Sequence, residues 1–440
     1  MALTGRVGLV AVLAAVLVVV APQPGVVVVA VLLLLAVLVA VDLLLAGGVG
    51  GLRFERRGER LVRLGESSVA ELVVANPGRR RVRGVLRDAW PPSAGATPRR
   101  HRIDVPGGER RAVVSTLSPT RRGDVSAARV TVRSVGPLGL AARQGHRVVE
   151  GSVRVLPPFL SRKHLPSKLT RLRELEGQHP ALVRGQGTEF DSLRGYVDGD
   201  DVRSIDWRAT ARRQDVVVRT WRPERDRRVL IVLDTGRTSA GRVGTAPLPN
   251  QTGGWPRLDW SMDAALLLAA LAARAGDRVD LLAFDRRTRA WTSGAAQREA
   301  LPTLVDTLAG LEAELVESDA EAMVAAVLAR ARRRCLVVLL TDLNATAMED
   351  GLLPVLRQLS SRHLVLVAAV ADPRAAEMAA GRGTSELVYD AAAAEHLRGE
   401  RRRVTAHLRR LGVEVVDSLP DDLASALADA YLALKAAGRL

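Results

Sequence analysis

Apolar positions along this 440-residue chain follow three patterns. At the start they are continuous. Val7 to Ala21 (VGLVAVLAAVLVVVA) is unbroken, and Gly25 to Ala46 is interrupted only by Asp42. Pro22-Gln23-Pro24-Gly25 between them is a strong turn signal. A helix needs ~20 apolar residues to cross the hydrocarbon core of a bilayer. The second run meets that length, and the first does so if Arg6 snorkels and the turn lies in the headgroups. Residues 1–50 are therefore predicted to form a two-helix transmembrane hairpin, with helices at about 7–21 and 25–46. The turn carries no basic residue, whereas Arg53, Arg56, Arg57, Arg60 and Arg63 follow the second run. The positive-inside rule then gives a multi-pass protein of the cell membrane, with both tails and the soluble body in the cytoplasm. The competing reading is a cleaved signal peptide with Val19 and Ala21 before the cut; the spanning run that follows at once weighs against it. Asp42 is read as an interfacial acid beside Arg53, with an intramembrane functional role as the alternative.

Over residues 51–158 the pattern shortens. Val69 to Val74 is largely apolar, Ala128 to Val135 alternates with period two, and turn signals recur at Asn76-Pro77-Gly78, 105–108 and 119–123. A β-rich, sandwich-like domain is the expectation, with Pro137-Leu138-Gly139-Leu140 as a bend near its end. Residues 159–186 read as a linker with a helix after Pro166.

The third pattern fills residues 228–440. Short continuous apolar runs (Val229 to Asp234, Asp277 to Asp285, Cys335 to Asp342, Leu364 to Ala371, Val413 to Asp417) alternate with helical stretches rich in Ala and Leu. Thr288 to Ser293 is expected to pair beside the second of these strands. Such alternation predicts an α/β, doubly wound, mostly parallel sheet covered on both faces.

Composition narrows the chemistry. Only Lys163, Lys168 and Lys435 are lysines, and none follows a Gly-rich turn, so no phosphate-binding loop is present. Cys335 is the single cysteine, which excludes an intramolecular disulfide framework and a multi-cysteine zinc site. No His-Glu-x-x-His run and no Gly-x-Ser-x-Gly elbow occurs. The net charge is +16, and residues 51–150 hold 21 Arg against nine Asp and Glu, or +12 of it. A solvated Arg-rich face is one account. Attraction to anionic inner-leaflet lipids is the next, at ~1 kcal/mol per base. Nucleic acid ranks last and is not expected as a partner, because the aromatics that single strands stack on are scarce.

Ligands of doubly wound sheets bind beyond the carboxyl ends of the strands. Two strands end there in acids, Asp234 in Asp-Thr-Gly-Arg-Thr-Ser and Asp342 in Leu-Thr-Asp-Leu-Asn. This resembles a von Willebrand factor A domain and its metal-ion-dependent adhesion site. Asp234, Thr238 and Asp342 match that site, Gly236 replaces a Ser, and Thr292 is the candidate for the intermediate Thr. The resemblance implies Mg²⁺ in a degenerate site, and water can stand in for a lost hydroxyl. The alternative is that Asp234 caps the following loop. An acyl-phosphate-forming phosphatase reading lacks both its second acid, at Gly236, and a neutralising Lys.

The densest polar motif precedes the first strand, in residues 187–227. It runs Gly187-Thr188-Glu189-Phe190, Leu193-Arg194-Gly195-Tyr196, Gly199-Asp200-Asp201, Arg203-Ser204-Ile205-Asp206-Trp207 and Thr210-Ala211-Arg212. It closely resembles the signature of the domain of unknown function 58 family. The segment is read either as a docking surface or as a structural clamp, in which Asp206 or Asp201 pairs Arg194 or Arg212. The resemblance implies two membrane spans, a β-rich segment and a von Willebrand A-like domain. It also implies partnership with a MoxR-type AAA+ ATPase in a chaperone-like or maturation role. The expected function is non-enzymatic protein binding at the membrane. A metal-dependent hydrolase using Asp234 and Asp342, or a pure scaffold, are the alternatives.

Overall fold

The computed structural model describes residues 2–20, 22–178, 189–197, 200–213, 215–222, 227–244, 254–294 and 300–440. The chain is mixed α/β and forms two compact units, Met1–Pro157 and Pro158–Leu440.

The first unit opens with a short strand, β1 (Ala2–Leu3), and two apolar helices, α1 (Gly5–Val20) and α2 (Pro24–Leu45). Pro24 sits in the first turn of α2, where its missing N–H costs no hydrogen bond. At 22 residues, α2 is the one helix among the described residues long and apolar enough to cross a membrane; α1, at 16, is shorter. Ten strands follow: β2 (Arg53–Gly58), β3 (Leu61–Arg63), β4 (Ser68–Ala75), β5 (Val82–Asp88), β6 (Arg100–Val105), β7 (Arg110–Leu117), β8 (Gly123–Ser126), β9 (Val130–Val135), β10 (Ala141–Arg147) and β11 (Ser152–Leu156). They form sheets ordered β1-β10-β9-β5-β6, β2-β4-β7 and β3-β11-β8. Leu72 and Val74 of β4 share a core with Val82, Leu86, Ile103, Val105, Val130 and Val132 of the larger sheet. These are the alternate residues of their strands, so each strand points one row inward and leaves the other to solvent.

Asp42 is fully buried rather than interfacial beside Arg53. Its Oδ1 accepts from the N–H of Leu138 at 2.8 Å, and its Oδ2 accepts from the N–H groups of Leu140 and Ala141, both at 2.7 Å. Gly136 makes this possible, since a Cβ there would collide with the carboxylate. The Pro137–Leu140 bend expected from sequence is thus the turn between β9 and β10, and an acid at the end of α2 holds it. The same turn holds the chain ahead of α1. Leu3 pairs with Ala141, and Thr4 Oγ1 donates to the carbonyl of Gly139 at 2.5 Å. Arg143 Nε donates to the Leu43 carbonyl at 2.9 Å, and Arg80 donates to that of Leu44. Both satisfy carbonyls that the end of α2 would otherwise leave open, with positive charge at the favourable helix end. The two apolar helices and the β-rich section consequently belong to one unit.

The second unit carries α3 (Leu165–Gln178), the hairpin of β12 (Glu189–Gly195) with β13 (Val217–Arg222), and α4 (Trp207–Arg213) between those strands. Next come β14 (Arg228–Asp234), α5 (Arg237–Ala240), β15 (Arg242–Val243), β16 (Trp255–Pro256) and α6 (Arg257–Arg274). They are followed by β17 (Arg278–Phe284), β18 (Thr288–Thr292), α7 (Ala300–Ala309), α8 (Ala320–Arg330) and β19 (Leu336–Leu340). The unit ends with α9 (Leu353–Ser360), β20 (Leu364–Val370), α10 (Pro373–Ala379), α11 (Ser385–Arg410), β21 (Glu414–Ser418) and α12 (Pro420–Ala436). The main sheet runs β18-β17-β14-β19-β20-β21, parallel except for β18, which pairs antiparallel to β17. Leu230, Val232, Val337, Leu339, Val365 and Val367 face a core built with α8, α9 and α11. Helices α6 and α12 pack on each other and on the strands. Fully buried strands explain why these runs are continuously apolar.

Candidate functional site

In a parallel sheet all carboxyl ends lie on one edge, and here three strands deliver acids to it. Asp234 closes β14, Asp285 follows β17 and Asp342 lies two residues beyond β19. Asp234 and Asp342 both line one cleft of about 360 Å³, with an apolar wall of Met323, Leu339, Met348 and Leu352.

Asp234 is 7% exposed. Its Oδ1 accepts from the Gly236 N–H at 2.8 Å and from Ser318 Oγ at 2.5 Å. Its Oδ2 accepts from Thr341 Oγ1 at 2.7 Å and Thr238 Oγ1 at 3.3 Å. Three of the four donors are hydroxyls, and no cationic side chain pairs with the carboxylate among the described residues. Thr238 therefore stands where the sequence places it. Gly236 has a positive role: a Cβ there would collide with Ser318 Oγ. The hydroxyl missing at 236 is supplied across the loop by Ser318. Thr292, the candidate intermediate hydroxyl, sits in edge strand β18 opposite Leu281. Sequence reasoning missed Ser318 and Thr341. Thr341 carried a signal, since it directly precedes Asp342 at a strand end, whereas nothing in the spacing marks Ser318, 84 residues from Asp234.

Asp342 has a different environment. Its Oδ1 accepts from Arg401 of α11 at 2.8 Å, and Arg257 lies at 3.6 Å. Arg401 also forks onto Asp417, with both bonds at 2.8 Å. Asp285 accepts from Thr235 Oγ1 at 3.1 Å and pairs with Arg289 at 3.0 Å. Burial pushes its carboxyl up, but the N–H groups of Arg287 and Arg286, the Thr235 hydroxyl and Arg289 together hold it below the usual range. The single cysteine, Cys335, is buried, and burial pushes its thiol up to about 11.

No group of three or more His, Cys, Asp or Glu side chains able to hold a metal occurs among the described residues. The Asp234 cluster is instead a hydroxyl-rich oxygen set, which suits a hard cation that keeps several waters. Hydroxyl groups that now donate to the carboxylate can rotate and present lone pairs. The residues fit Mg²⁺ on that chemistry.

The signature segment forms a second cluster. Arg194 pairs with Asp200 at 2.6 Å, and the other Asp200 oxygen accepts from the Val197 N–H at 3.0 Å. Asp201 accepts from the Arg203 N–H at 2.9 Å and opens a short turn over Val202–Ser204. Asp206 caps α4, accepting from the N–H groups of Arg208 and Ala209 at 3.0 Å, and pairs with Arg219 at 2.8 Å. The Ala209 N–H, followed by Arg219, holds its carboxyl below the ordinary range. The observed pairs are Arg194–Asp200 and Arg219–Asp206; Arg212 is exposed and pairs with no acid among the described residues. Tyr196 continues the hairpin, its N–H donating to the Val216 carbonyl at 2.8 Å. Trp207 is 69% exposed, and Val202 and Arg203 in the preceding turn are exposed too. Glu189 and Phe190 open β12, while Gly187, Thr188 and Gly199 lie outside the described residues.

The model of the family described as Protein of unknown function DUF58 matches residues 192–416, just over half of the chain. The chain belongs to this family. The match takes in most of the signature segment and the sheet edge with Asp234, Ser318 and Asp342. Uncharacterized proteins of Mycobacterium bovis and Mycobacterium tuberculosis are 28% identical over 206 residues, 46% of this chain. The matched region spans 61% of those relatives' length. Among solved structures, a CARDB domain protein from Pyrococcus furiosus has a TM-score of 0.18 at 19% identity, covering 24% of this chain and 91% of that one. A minor pilin, PilB, from Streptococcus sanguinis has a TM-score of 0.33 at 9% identity, covering 87% and 77%. These low scores carry no argument about this DUF58 protein.

Proposed function

We propose that this DUF58 protein is a membrane-anchored, non-enzymatic protein-binding module. Its C-terminal sheet acts as a von Willebrand A-like domain whose carboxyl edge grips a partner with the help of Mg²⁺. The partner class is a MoxR-type AAA+ ATPase or its client, in a chaperone-like or maturation role. One observation carries the reading: a buried carboxylate, Asp234, lies in an open cleft, met by three hydroxyls and, among the described residues, by no cation. Burying an uncompensated charge is costly, and a divalent ion would supply the missing positive charge. Asp234, Thr238, Ser318 and Thr341 would hold it, with Asp342 and waters beside them. When bound, the ion supplies a point of attraction for a partner's carboxylate. The chain's own residues orient the oxygens and exclude part of the solvent. Gly236 offers no general acid and the cleft lining contains no lysine, which supports holding rather than bond-breaking.

The same reading gives α1 and α2 a joint role as a two-helix membrane hairpin with the β-rich unit at the cytoplasmic face. Its support is that the chain before α1 and the end of α2 fasten to the same β9–β10 turn. Both helix ends thus return to one side, and the residues that a signal cleavage would remove are part of a sheet. Affinity capture of the intact protein from its native membrane, with and without Mg²⁺ and ATP, tests the function. Recovery of an AAA+ ATPase with wild-type protein, lost with Asp234→Ala, is the expected result. Equal recovery with the variant, or none with either, refutes it.

A further inference from the structure

The outer face of the sheet β10-β9-β5-β6 carries a cavity of about 300 Å³. Its lining includes four arginines, Arg87, Arg100, Arg129 and Arg133, with Val85, Thr131 and Gln144, and no carboxylate. Strand alternation puts them there. Leu86, Val130 and Val132 point into the core, so Arg87, Thr131 and Arg133 point out. Arg133 donates to Gln144 Oε1 at 2.9 Å, a neutral partner. Among the described residues, Arg87, Arg100 and Arg129 make no ion pair. The nearby acid Asp104 is already taken by Arg81.

The register makes this arrangement costly. Arg87 and Arg100 are directly opposite on neighbouring antiparallel strands. Like charges in that relation destabilise a sheet. The unit shows elsewhere that it pairs arginines when structure requires it: Arg56 forks onto Asp88 at 2.6 and 2.7 Å, buried under Trp90. Four converging guanidinium groups with no acid among them form a receptor for an anion with several oxygens. Guanidinium forks match phosphate geometry, and each charge-assisted bond is among the stronger hydrogen bonds in proteins.

We propose that this cavity is a binding site for a phosphoryl-bearing anion, occupied either by a phospholipid headgroup or by a soluble phosphate compound. The headgroup source rests on the membrane-hairpin reading, and the site's position suits it. Arg133 is two residues from Val135, the end of β9 that meets the turn fastened to α2, or about 7 Å along the strand. Arg129 lies roughly 20 Å from the same end. The soluble source does not depend on the hairpin.

Pyrophosphate is the probe. With the intact protein in detergent micelles at constant ionic strength, pyrophosphate is expected to raise the melting temperature in a saturable way. Arg87→Gln with Arg100→Gln is expected to weaken the half-saturation concentration by at least about tenfold. The double variant removes a like-charge pair, so its melting temperature without pyrophosphate is expected to rise, which separates lost binding from lost folding. Titration in nanodiscs of phosphatidylcholine, with and without phosphatidylglycerol, then distinguishes the occupants. Weaker pyrophosphate binding in the anionic discs assigns the site to headgroups, and unchanged binding assigns it to a soluble phosphate. No saturable response in the wild type, or an equal one in the double variant, overturns the proposal. If the hairpin reading fails and this one holds, the detergent titration stays positive while the two nanodisc titrations coincide.

Discussion

Asp42 and Asp234 are both buried carboxylates with no cationic partner among the described residues, yet their surroundings differ in kind. Asp42 is met by three backbone N–H groups of one tight turn, and Gly136 clears the space for it. Backbone donors cannot turn away, so that carboxylate is a fixed part of the fold. Asp234 is met by one backbone N–H and three hydroxyls, at the wall of an open cleft. Hydroxyls rotate and carry lone pairs. One acid closes a structure; the other meets donors that can turn. Burial alone does not separate them, but the identity of the donors does.

Replacing Asp42 tests the first half with the largest expected effect. Asp42→Ala strands the N–H groups of Leu138, Leu140 and Ala141, the last two in buried bonds, at roughly 1–3 kcal/mol for each buried group left unpaired. A loss of at least about 3 kcal/mol is expected. Denaturant unfolding in detergent measures it, and protease cleavage at the β9–β10 turn should appear. A loss under 1 kcal/mol, on the order of a surface substitution, would mean that the turn does not need the carboxylate.

Asp263 is a third buried carboxylate. On α6 it accepts from the Ser161 N–H and Oγ, both at 3.1 Å. Burial pushes its carboxyl from 3.8 up to about 6 despite those bonds. Between these values the folded state holds a proton that the unfolded chain has released. Stability therefore falls as pH rises through that window and levels off above it, by about 3 kcal/mol in all. Asp263→Asn should remove this part of the pH dependence while keeping an acceptor for Ser161. Parallel wild-type and variant curves from pH 4 to 6.5, the span set by that shift, would reject the assignment.

Much of this was legible in the sequence, for reasons that the acids illustrate. The strands of the main sheet are continuous apolar runs because both faces are covered, so β14, β17, β19 and β20 fall within a residue or two of their expected bounds. Asp234 and Asp342 were found because a parallel sheet places strand ends on one edge. Ser318 was not, since a loop far along the chain supplies it and only the space above Gly236 explains its presence. Asp42 was misplaced for the opposite reason. Its hydrophobic flanks point to a membrane, and its partners in the β9–β10 turn lie about a hundred residues away in the chain, at separations of 96 to 99. The signature segment yielded its residue types but not its pairing: α4 lies between β12 and β13, so Asp206 meets Arg219 across the hairpin rather than Arg212 at the end of its own helix.

Asp234→Ala should cost less than Asp42→Ala, about 1–2 kcal/mol. The hydroxyls it frees can pair with water in the cleft, whereas the β9–β10 N–H groups cannot. The sharper difference is in the response to Mg²⁺. Ligand that binds only the folded state stabilises it by mass action. Wild-type protein should therefore melt higher with Mg²⁺ added, while Asp234→Ala should not respond and Asp42→Asn should respond as wild type does. Equal responses in wild type and Asp234→Ala would remove the distinction between the two acids.

The smallest effect on stability is expected at Trp207, where the signature segment repeats the comparison on its own scale. Asp206 is spent on capping α4 and on Arg219, and Trp207, the next residue, stands 69% exposed. An aromatic that buries so little surface contributes little to folding, so Trp207→Ala should leave stability within about 0.5 kcal/mol. Exposed aromatics flanked by arginine are the residue types that anchor interfaces. If the segment is a docking surface as well as a clamp, Trp207→Ala should reduce recovery of the partner in affinity capture by about tenfold or more while the melting curve is unchanged. Full recovery with the variant would leave the segment as a clamp alone, and the grip would then belong to the cleft around Asp234.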